Sequence, residues 1–274
     1  MILISKENFE LGDSVLLIYD RNRRWIKLIE DKEFHTNYGF INLKDLVGIK
    51  YGGKIETNKG KWLRCLPPSL EDWIESFGHA SQIIYFKDAA SILLMLNVKP
   101  GDTVFEAGTG SGALTAILAR FLVPGRIVTH EIREEAQKVA KKNIAKLGIS
   151  NVDFHLRDVV TDGFSEGTAD AIFLDLVNPW EVISKLPQSL RLAGRVVIFL
   201  PTMNQLEKTF QELLNSGFSE ISCIELLERN VQLKVNAMRP NTRMIGHTGY
   251  LMRATYVGLQ KHESTSSEGL EVDE

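Results

Sequence analysis

Short apolar runs broken by charged turns fill the first quarter of the chain. Ser14-Val-Leu-Leu-Ile-Tyr19 and Trp25-Ile-Lys-Leu-Ile29 are too short for helices and lack a helical period. The polar stretch Asp20-Arg-Asn-Arg-Arg24 between them reads as a turn. Gly39, Gly48, Gly52-Gly53 and Gly60 add further turn signals, and Pro67-Pro68 closes the region. Residues 1–75 are therefore expected to form a small N-terminal β-rich domain, a barrel or sandwich.

From Lys87 onward, helical patterns alternate with apolar strands. The spacing predicts a helix over 88–97, a strand over 103–107, a helix over 112–122 and a strand over 126–130. Residues 133–147 carry Val139, Ile144 and Leu147 among charges and predict an amphipathic helix ending at Gly148. Strands near 152–156 and 170–175, a helix over 180–192, a strand over 195–200 and a helix over 204–215 follow. This alternation predicts an α/β, Rossmann-like domain over residues 76–262, with a parallel sheet covered on both faces. Segments 218–227 and 251–259 have no helical pattern between them. They are expected to close the sheet as an antiparallel pair, unlike a standard dinucleotide fold.

Composition changes this picture little. The 274 residues are 44% hydrophobic and 24% charged, which is ordinary for a globular protein. No apolar run is long enough to span a bilayer, and the apolar part of the N-terminus is too short for a secretory signal. Cys65 and Cys223 lie far apart without metal-ligand spacing, so neither a zinc site nor a disulfide framework is indicated. Both are expected to be small buried hydrophobes in a reducing cytoplasm. The net charge of −3 conceals an uneven distribution. Residues 263–274 hold five acids and no base, and they read as an acidic disordered tail. Without them, 32 bases face 30 acids. The stretch from Arg229 to His262 contains six bases and no acid. A solvated surface and a phosphate-binding patch both account for it.

The candidate chemistry centres on Glu106-Ala-Gly-Thr-Gly-Ser-Gly112, after a strand and before a helix. Gly108, Gly110 and Gly112 permit positive φ and close backbone approach, and free N–H groups at the helix start face a polar ligand. The loop fits both a methyltransferase pattern and a dinucleotide pattern. Three acids at successive strand ends sharpen it. Glu131 is positioned to accept the two ribose hydroxyls of a nucleoside, and Asp158 to meet an adenine amino group. Asp175 ends the fourth strand in Leu174-Asp-Leu-Val-Asn-Pro-Trp180. With the terminal β pair, these residues favour S-adenosyl-L-methionine over a nicotinamide cofactor.

The sequence resembles the tRNA (adenine-58-N1)-methyltransferases of the archaeal and bacterial homotetrameric type. The resemblance rests on Phe34-His-Thr-Asn-Tyr-Gly-Phe-Ile41, Gln82-Ile-Ile-Tyr-Phe-Lys-Asp88, the glycine loop, His130-Glu-Ile-Arg133, Asp175-Leu-Val-Asn-Pro-Trp-Glu181 and His247-Thr-Gly-Tyr250. It implies a class I methyltransferase domain behind the β domain, assembled as a homotetramer that acts on tRNA without a metal. It also implies cofactor contacts from Gln82, Ser111, Gly112, Ala113, Leu114, Glu131, Ala136 and Asp158, with Asp175 as the catalytic acid. Tyr85 is a stacking candidate for an extruded base. Arg239, Arg243 and His247 are further substrate-binding candidates, and Arg21-Asn-Arg-Arg24 is a second phosphate-contact candidate. The chain departs from the family pattern at Phe86, where proline is usual, at Val177-Asn178, and at Gly78-His79. The alternatives are a methyltransferase for a small molecule or protein, and a non-catalytic tRNA-binding subunit. A nicotinamide oxidoreductase is a third.

Overall fold

The computed structural model describes residues 6–78 and 83–258. Gln82 and the acidic segment 263–274 lie outside the described residues. The chain divides into two compact units, Met1–Phe77 and Gly78–Glu274.

In the first unit, β1 (Ser14–Asp20) turns into β2 (Arg23–Leu28), and β3 (Glu33–Thr36) pairs with β4 (Gly39–Asn42). With β5 (Lys54–Glu56) and β6 (Trp62–Leu66), the main sheet runs β2-β1-β6-β5, antiparallel throughout. Phe9, Val15, Leu17, Ile29, Leu46 and Leu63 fill its core. Cys65 is fully buried there, and burial pushes its thiol up to about 11, so it behaves as an inert small hydrophobe. Helix α1 (Leu70–Glu75) begins at a capping box, in which the Ser69 side chain accepts from the Asp72 N–H and Asp72 accepts from the Ser69 N–H. Two of the arginines in the 21–24 turn have intramolecular partners. Arg23 pairs with Asp20 at 2.7 Å and lies over the Tyr38 ring, while Arg24 pairs with Asp72 at 2.5 Å.

The second unit opens with α2 (Phe86–Leu96), followed by β7 (Thr103–Ala107), α3 (Ala113–Leu122), β8 (Arg126–Glu131), α4 (Glu134–Lys146) and β9 (Val152–Leu156). The short α5 (Val159–Asp162), β10 (Ala169–Leu174), the short α6 (Trp180–Ile183), β11 (Leu190–Leu200) and α7 (Met203–Asn215) come next. The chain then forms β12 (Phe218–Glu225), the small hairpin β13 (Val231–Gln232) and β14 (Arg239–Pro240), and β15 (Tyr250–Tyr256). The sheet order is β12-β15-β11-β10-β7-β8-β9. Strands β7 to β11 are parallel, and β15 is antiparallel to both β11 and β12. The two last strands thus form the expected antiparallel pair, with β15 inserted between β11 and the edge strand β12.

Central strands are buried on both sides, as helix-covered parallel sheets require. Phe105, Ile172 and Val196 face one core with Val182, Ile183 and Leu213, whereas Val104, Ala171 and Val197 face another with Ile92, Leu118 and Leu122. Two expectations need correction. The helix expected over 180–192 is only one turn of α6 and a short 3₁₀ turn at Leu186–Gln188, because Pro187 interrupts it and β11 already begins at Leu190. Cys223 is exposed, not buried, because it sits on the edge strand β12, whose register shifts between Ser219 and Ser222.

Phe86 is the first residue of α2, the position where proline is best tolerated in a helix. Proline is therefore not needed there for the helix to form. Asp88, one turn in, is 1% exposed. Its carboxylate receives Lys87 Nζ at 2.8 Å and the Thr248 hydroxyl at 3.0 Å, and Lys87 also reaches Thr248 Oγ1 at 2.6 Å. This buried triad ties the start of α2 to the segment entering β15. Asp88→Ala would strand a nearly buried ammonium, and it is expected to lower unfolding free energy by about 3–5 kcal/mol in denaturant titration. A loss below about 1 kcal/mol, the value of an exposed pair, would contradict the assignment.

Candidate active site

Chain order along the sheet reverses at β7. The chain steps outward through β8 and β9, then returns to β10 on the other side of β7. Such switch points leave a crevice at the carboxyl ends of the strands. The loop Gly108–Gly112 crosses it between β7 and α3. Gly108 and Thr109 N–H groups donate to His130 O at the end of β8, and the Asp175 N–H donates to Ala107 O from the end of β10. Gly108 has φ +94°, and a Cβ there would stand 2.1 Å from the Asp175 carbonyl oxygen. No side chain is compatible with that position.

A cleft of ≈ 530 Å³ opens over this loop, with Gly108, Gly110, Glu131, Asp158, Asp175 and Phe199 in its walls. That volume lies in the range of small-ligand sites. The Glu131 carboxylate accepts the Gly110 N–H at 3.0 Å through one oxygen and the Arg133 N–H at 3.0 Å through the other. It is thereby fixed at the cleft wall. Asp158 caps α5, accepting from the Val160 N–H and the Thr161 hydroxyl, both at 2.9 Å, while still lining the cleft. No hydrogen bond from a described residue reaches the Asp175 carboxylate. Burial, and then the negative charge of Glu131, push it up to about 6.

Beneath the loop lies Glu106, 1% exposed. One of its carboxylate oxygens accepts the hydroxyls of Thr115 and Thr129, each at 2.5 Å, and Thr129 is itself 2.6 Å from the Thr109 hydroxyl. Burial outweighs those hydroxyls and, with the charges of Asp175 and Glu131, pushes Glu106 up to about 7. A lone acid inside the apolar strand Thr103-Val-Phe-Glu-Ala107 was the sequence signal for it. Arg133, Arg157 and Phe199 also line the cleft. Phe199 carries no sequence signal beyond standing near the end of a central strand.

Other candidates lie elsewhere. Ser111, Ala113, Leu114 and Ala136 are buried, and Leu114 packs into the core with Ile92 and Leu118. Any contribution from Leu114 to a ligand is therefore through its backbone. Tyr85 is the N-cap residue of α2, and Ile83 and Ile84 reach the cleft wall instead. Arg239 and Arg243 are exposed on and beyond the β13–β14 hairpin. His247 donates Nε2–H to the Pro201 carbonyl at 2.9 Å and Nδ1–H to Glu225 at 2.5 Å. Those two bonds, chiefly that to Glu225, raise its pKa and link the ends of β11 and β12.

A family model described as "tRNA methyltransferase complex GCD14 subunit" matches residues 61–239. The tRNA (adenine(57)-N(1)/adenine(58)-N(1))-methyltransferase TrmI of Methanocaldococcus jannaschii is 32% identical over 263 residues, spanning 86% of this chain and 92% of its own. This chain belongs to the tRNA (adenine-58-N1)-methyltransferase family. The catalytic subunit TRM61 of Candida albicans is 33% identical over 276 residues, covering 96% of this chain and 81% of its own. Among solved structures, a Thermotoga maritima protein titled a SAM-dependent O-methyltransferase has TM-score 0.86 and 36% identity over 94% of this chain and 99% of its own. The tRNA (m1A58) methyltransferase TrmI of Aquifex aeolicus has TM-score 0.78 and 30% identity over 92% of this chain and 100% of its own.

Two of the segments that carry the resemblance, the one ending at Asp88 and the one beginning at His247, meet in space. Lys87-Asp88 of the first binds Thr248 of the second, as described above. Gly249, with φ +154°, lets the β15 entry pass over the Phe199 ring, since a Cβ there would lie 2.4 Å from the ring's Cζ. Phe199 in turn lines the cleft. These two segments thus brace the Phe199 wall of the cleft.

Proposed function

We propose that this chain transfers a methyl group from S-adenosyl-L-methionine to N1 of adenine 58 in the T-loop of tRNA, with adenine 57 as a second target. The observation carrying the reading is Asp175. It is a half-buried carboxylate at the sheet's switch point, without a hydrogen-bond partner among the described residues, beside a loop shaped for a nucleoside ligand.

The residues present fit the methyl donor. It carries a nucleoside and a net positive charge, and the cleft offers an acid at each of three strand ends. Two acids at the site, Glu106 and Asp175, are burdened by like charge in a way that a cation relieves. Glu131, Asp158 and the backbone of residues 108–114 would hold the donor. When bound, it supplies an electrophilic methyl group on sulfur.

Adenine N1 already has a lone pair, so the protein needs no strong base to create the nucleophile. Its task is orientation and charge management. The Asp175 carboxylate can accept from the exocyclic N6 amino group, fixing the base and offsetting the positive charge that alkylation places on the ring. Val177, 81% exposed beside it, lies at the cleft mouth where an extruded base enters.

The hairpin and its flanks combine Arg229, Lys234, Arg239 and Arg243 with exposed Leu233, Val235 and Met238. The cations suit phosphate, and the apolar side chains support self-association, here proposed as a homotetramer. No helix among the described residues is long and apolar enough to cross a membrane. A cytoplasmic location is proposed with the tRNA substrate. Incubation of unmodified tRNA, or a metabolite pool, with methyl-labelled donor tests the substrate class. Label in tRNA alone supports the reading, and label only in small molecules refutes it.

A further inference from the structure

We propose that Gln205 is a positioning residue for the target base, holding the loop that carries Asp175 by the carbonyl of Val177. The proposal rests on the methyltransferase reading above and extends it to a side chain outside the cleft wall. Asp175, Leu176 and Val177 leave β10 and line the cleft before α6 begins. The inner end of this loop is fixed, because the Asp175 N–H donates to Ala107 O and the Asp175 carbonyl lies against Gly108. Its outer end is fixed by α6, whose Val182 and Ile183 are in the core. Between those ends, no backbone–backbone hydrogen bond among the described residues reaches Leu176 or Val177. The bond that does reach the span runs from Gln205 Nε2 to the Val177 carbonyl, at 2.8 Å.

Thr202-Met-Asn-Gln205 opens α7 with the spacing of a capping box, in which the fourth side chain turns back to the first backbone N–H. Only half of that box is made, with the Thr202 hydroxyl oxygen accepting the Gln205 N–H. The Gln205 side chain is used elsewhere. Its Oε1 accepts the Thr202 hydroxyl at 2.7 Å, which leaves Nε2 for Val177. The opposite amide orientation would set Oε1 against the Val177 carbonyl, acceptor against acceptor, so this orientation alone satisfies both neighbours. A glutamate would serve the helix start equally well, and its charge suits a helix N-terminus. Of the two side chains, only the amide can donate to Val177.

Helix α7 is a firm support for this bond. Thr209 and Leu213 are buried, Lys208 lies 4.8 Å over the Trp180 ring of α6, and the Pro201 carbonyl ahead of the helix accepts from His247 at 2.9 Å. Holding the Val177 carbonyl fixes the peptide plane that follows it, and so the opening between Val177 and the Asp175 carboxylate. The target base must enter there with N1 in line with the methyl group, and a displacement of about 1 Å can cost about 100-fold in rate. Gln205 acts through the loop and touches neither base nor donor.

Kinetics on unmodified tRNA, calorimetry with S-adenosylmethionine and thermal unfolding, all on the full chain, test this together. Gln205→Glu should lower kcat about tenfold or more, with Tm unchanged or raised. Its KM for tRNA and Kd for the donor should stay within about twofold of wild type, because the lost interaction is one of orientation. Gln205→Met, of similar length and without a donor, should lose kcat alike. Thr202→Ser, which keeps the hydroxyl, should behave as wild type. A residue serving only the helix start would give full kcat in Gln205→Glu. If Gln205→Glu fails to fold, Gln205→Met carries the test. Wild-type kcat in the folded variant, or a loss of kcat matched by an equal loss of donor affinity, would overturn the proposal while leaving the methyltransferase reading intact. A wild-type chain that leaves tRNA unmodified would overturn both.

Discussion

Asp175→Ala is expected to lower turnover about 10²- to 10³-fold, the cost of removing one group that stabilises developing charge. Donor affinity should fall far less than turnover, because Glu131, Asp158 and the loop backbone remain. The loss should appear equally in kcat and kcat/KM, as for an interaction strengthened in the transition state. The pH profile provides an independent check. Asp175 can accept from N6 only as the carboxylate, and burial beside Glu131 holds its pKa near 6. Activity should therefore rise through about pH 6 and level off above pH 7, and the Ala variant's residual activity should lose that limb. Stability runs the opposite way. A carboxyl raised from 3.8 to about 6 favours the fold fully below about pH 3.8, and that contribution is lost as pH rises through 6. A Tm trend and an activity trend of opposite sign would identify the same group. Normal turnover in Asp175→Ala would remove it from the mechanism.

Gly108→Ala should have the second large effect, and a broader one. The residue has φ +94°, and the added carbon would meet the Asp175 carbonyl oxygen at 2.1 Å. Backbone strain alone costs of order 1–3 kcal/mol. The clash cannot relax without parting the ends of β7 and β10, so a total near 3 kcal/mol or more is expected. Donor binding should fall by at least about 100-fold, since the loop that supports it must move. Gly112 contrasts with it. A Cβ there meets Ala140 at 3.3 Å, against a side chain rather than a carbonyl, so Gly112→Ala should disturb packing less despite its own positive φ. Calorimetry with the donor, beside thermal unfolding, separates the two variants. Wild-type binding by Gly108→Ala would show that the switch-point contact is unimportant.

Much of this was legible in the sequence because it depends on local patterns. The strand–glycine loop–helix order specified the loop, and acids at strand ends marked Glu131, Asp158 and Asp175, all of which line the cleft. Long periodic helices such as α4 and α7 declared themselves by spacing. What stayed hidden was set by tertiary partners. The sequence does not show that Glu225 and Pro201 engage both nitrogens of His247. The core that takes up the Leu114 side chain is likewise invisible in the sequence. Residues 180–192 carry enough apolar character for a helix, but pairing between β10 and β11 claims the chain from Leu190. Conversely, Lys87-Asp88 and Thr248 stand 160 residues apart, and no periodicity could join them.

The central claim is the target atom, and mapping the product tests it most directly. Unmodified tRNA incubated with the protein and S-adenosylmethionine should acquire 1-methyladenosine, seen as a reverse-transcription stop or misincorporation at adenine 58. A second signal at 57 identifies the dual form, and Asp175→Ala should give neither. Methylation confined to another nucleotide or another atom, or tRNA left unmodified while the donor binds, would contradict the account.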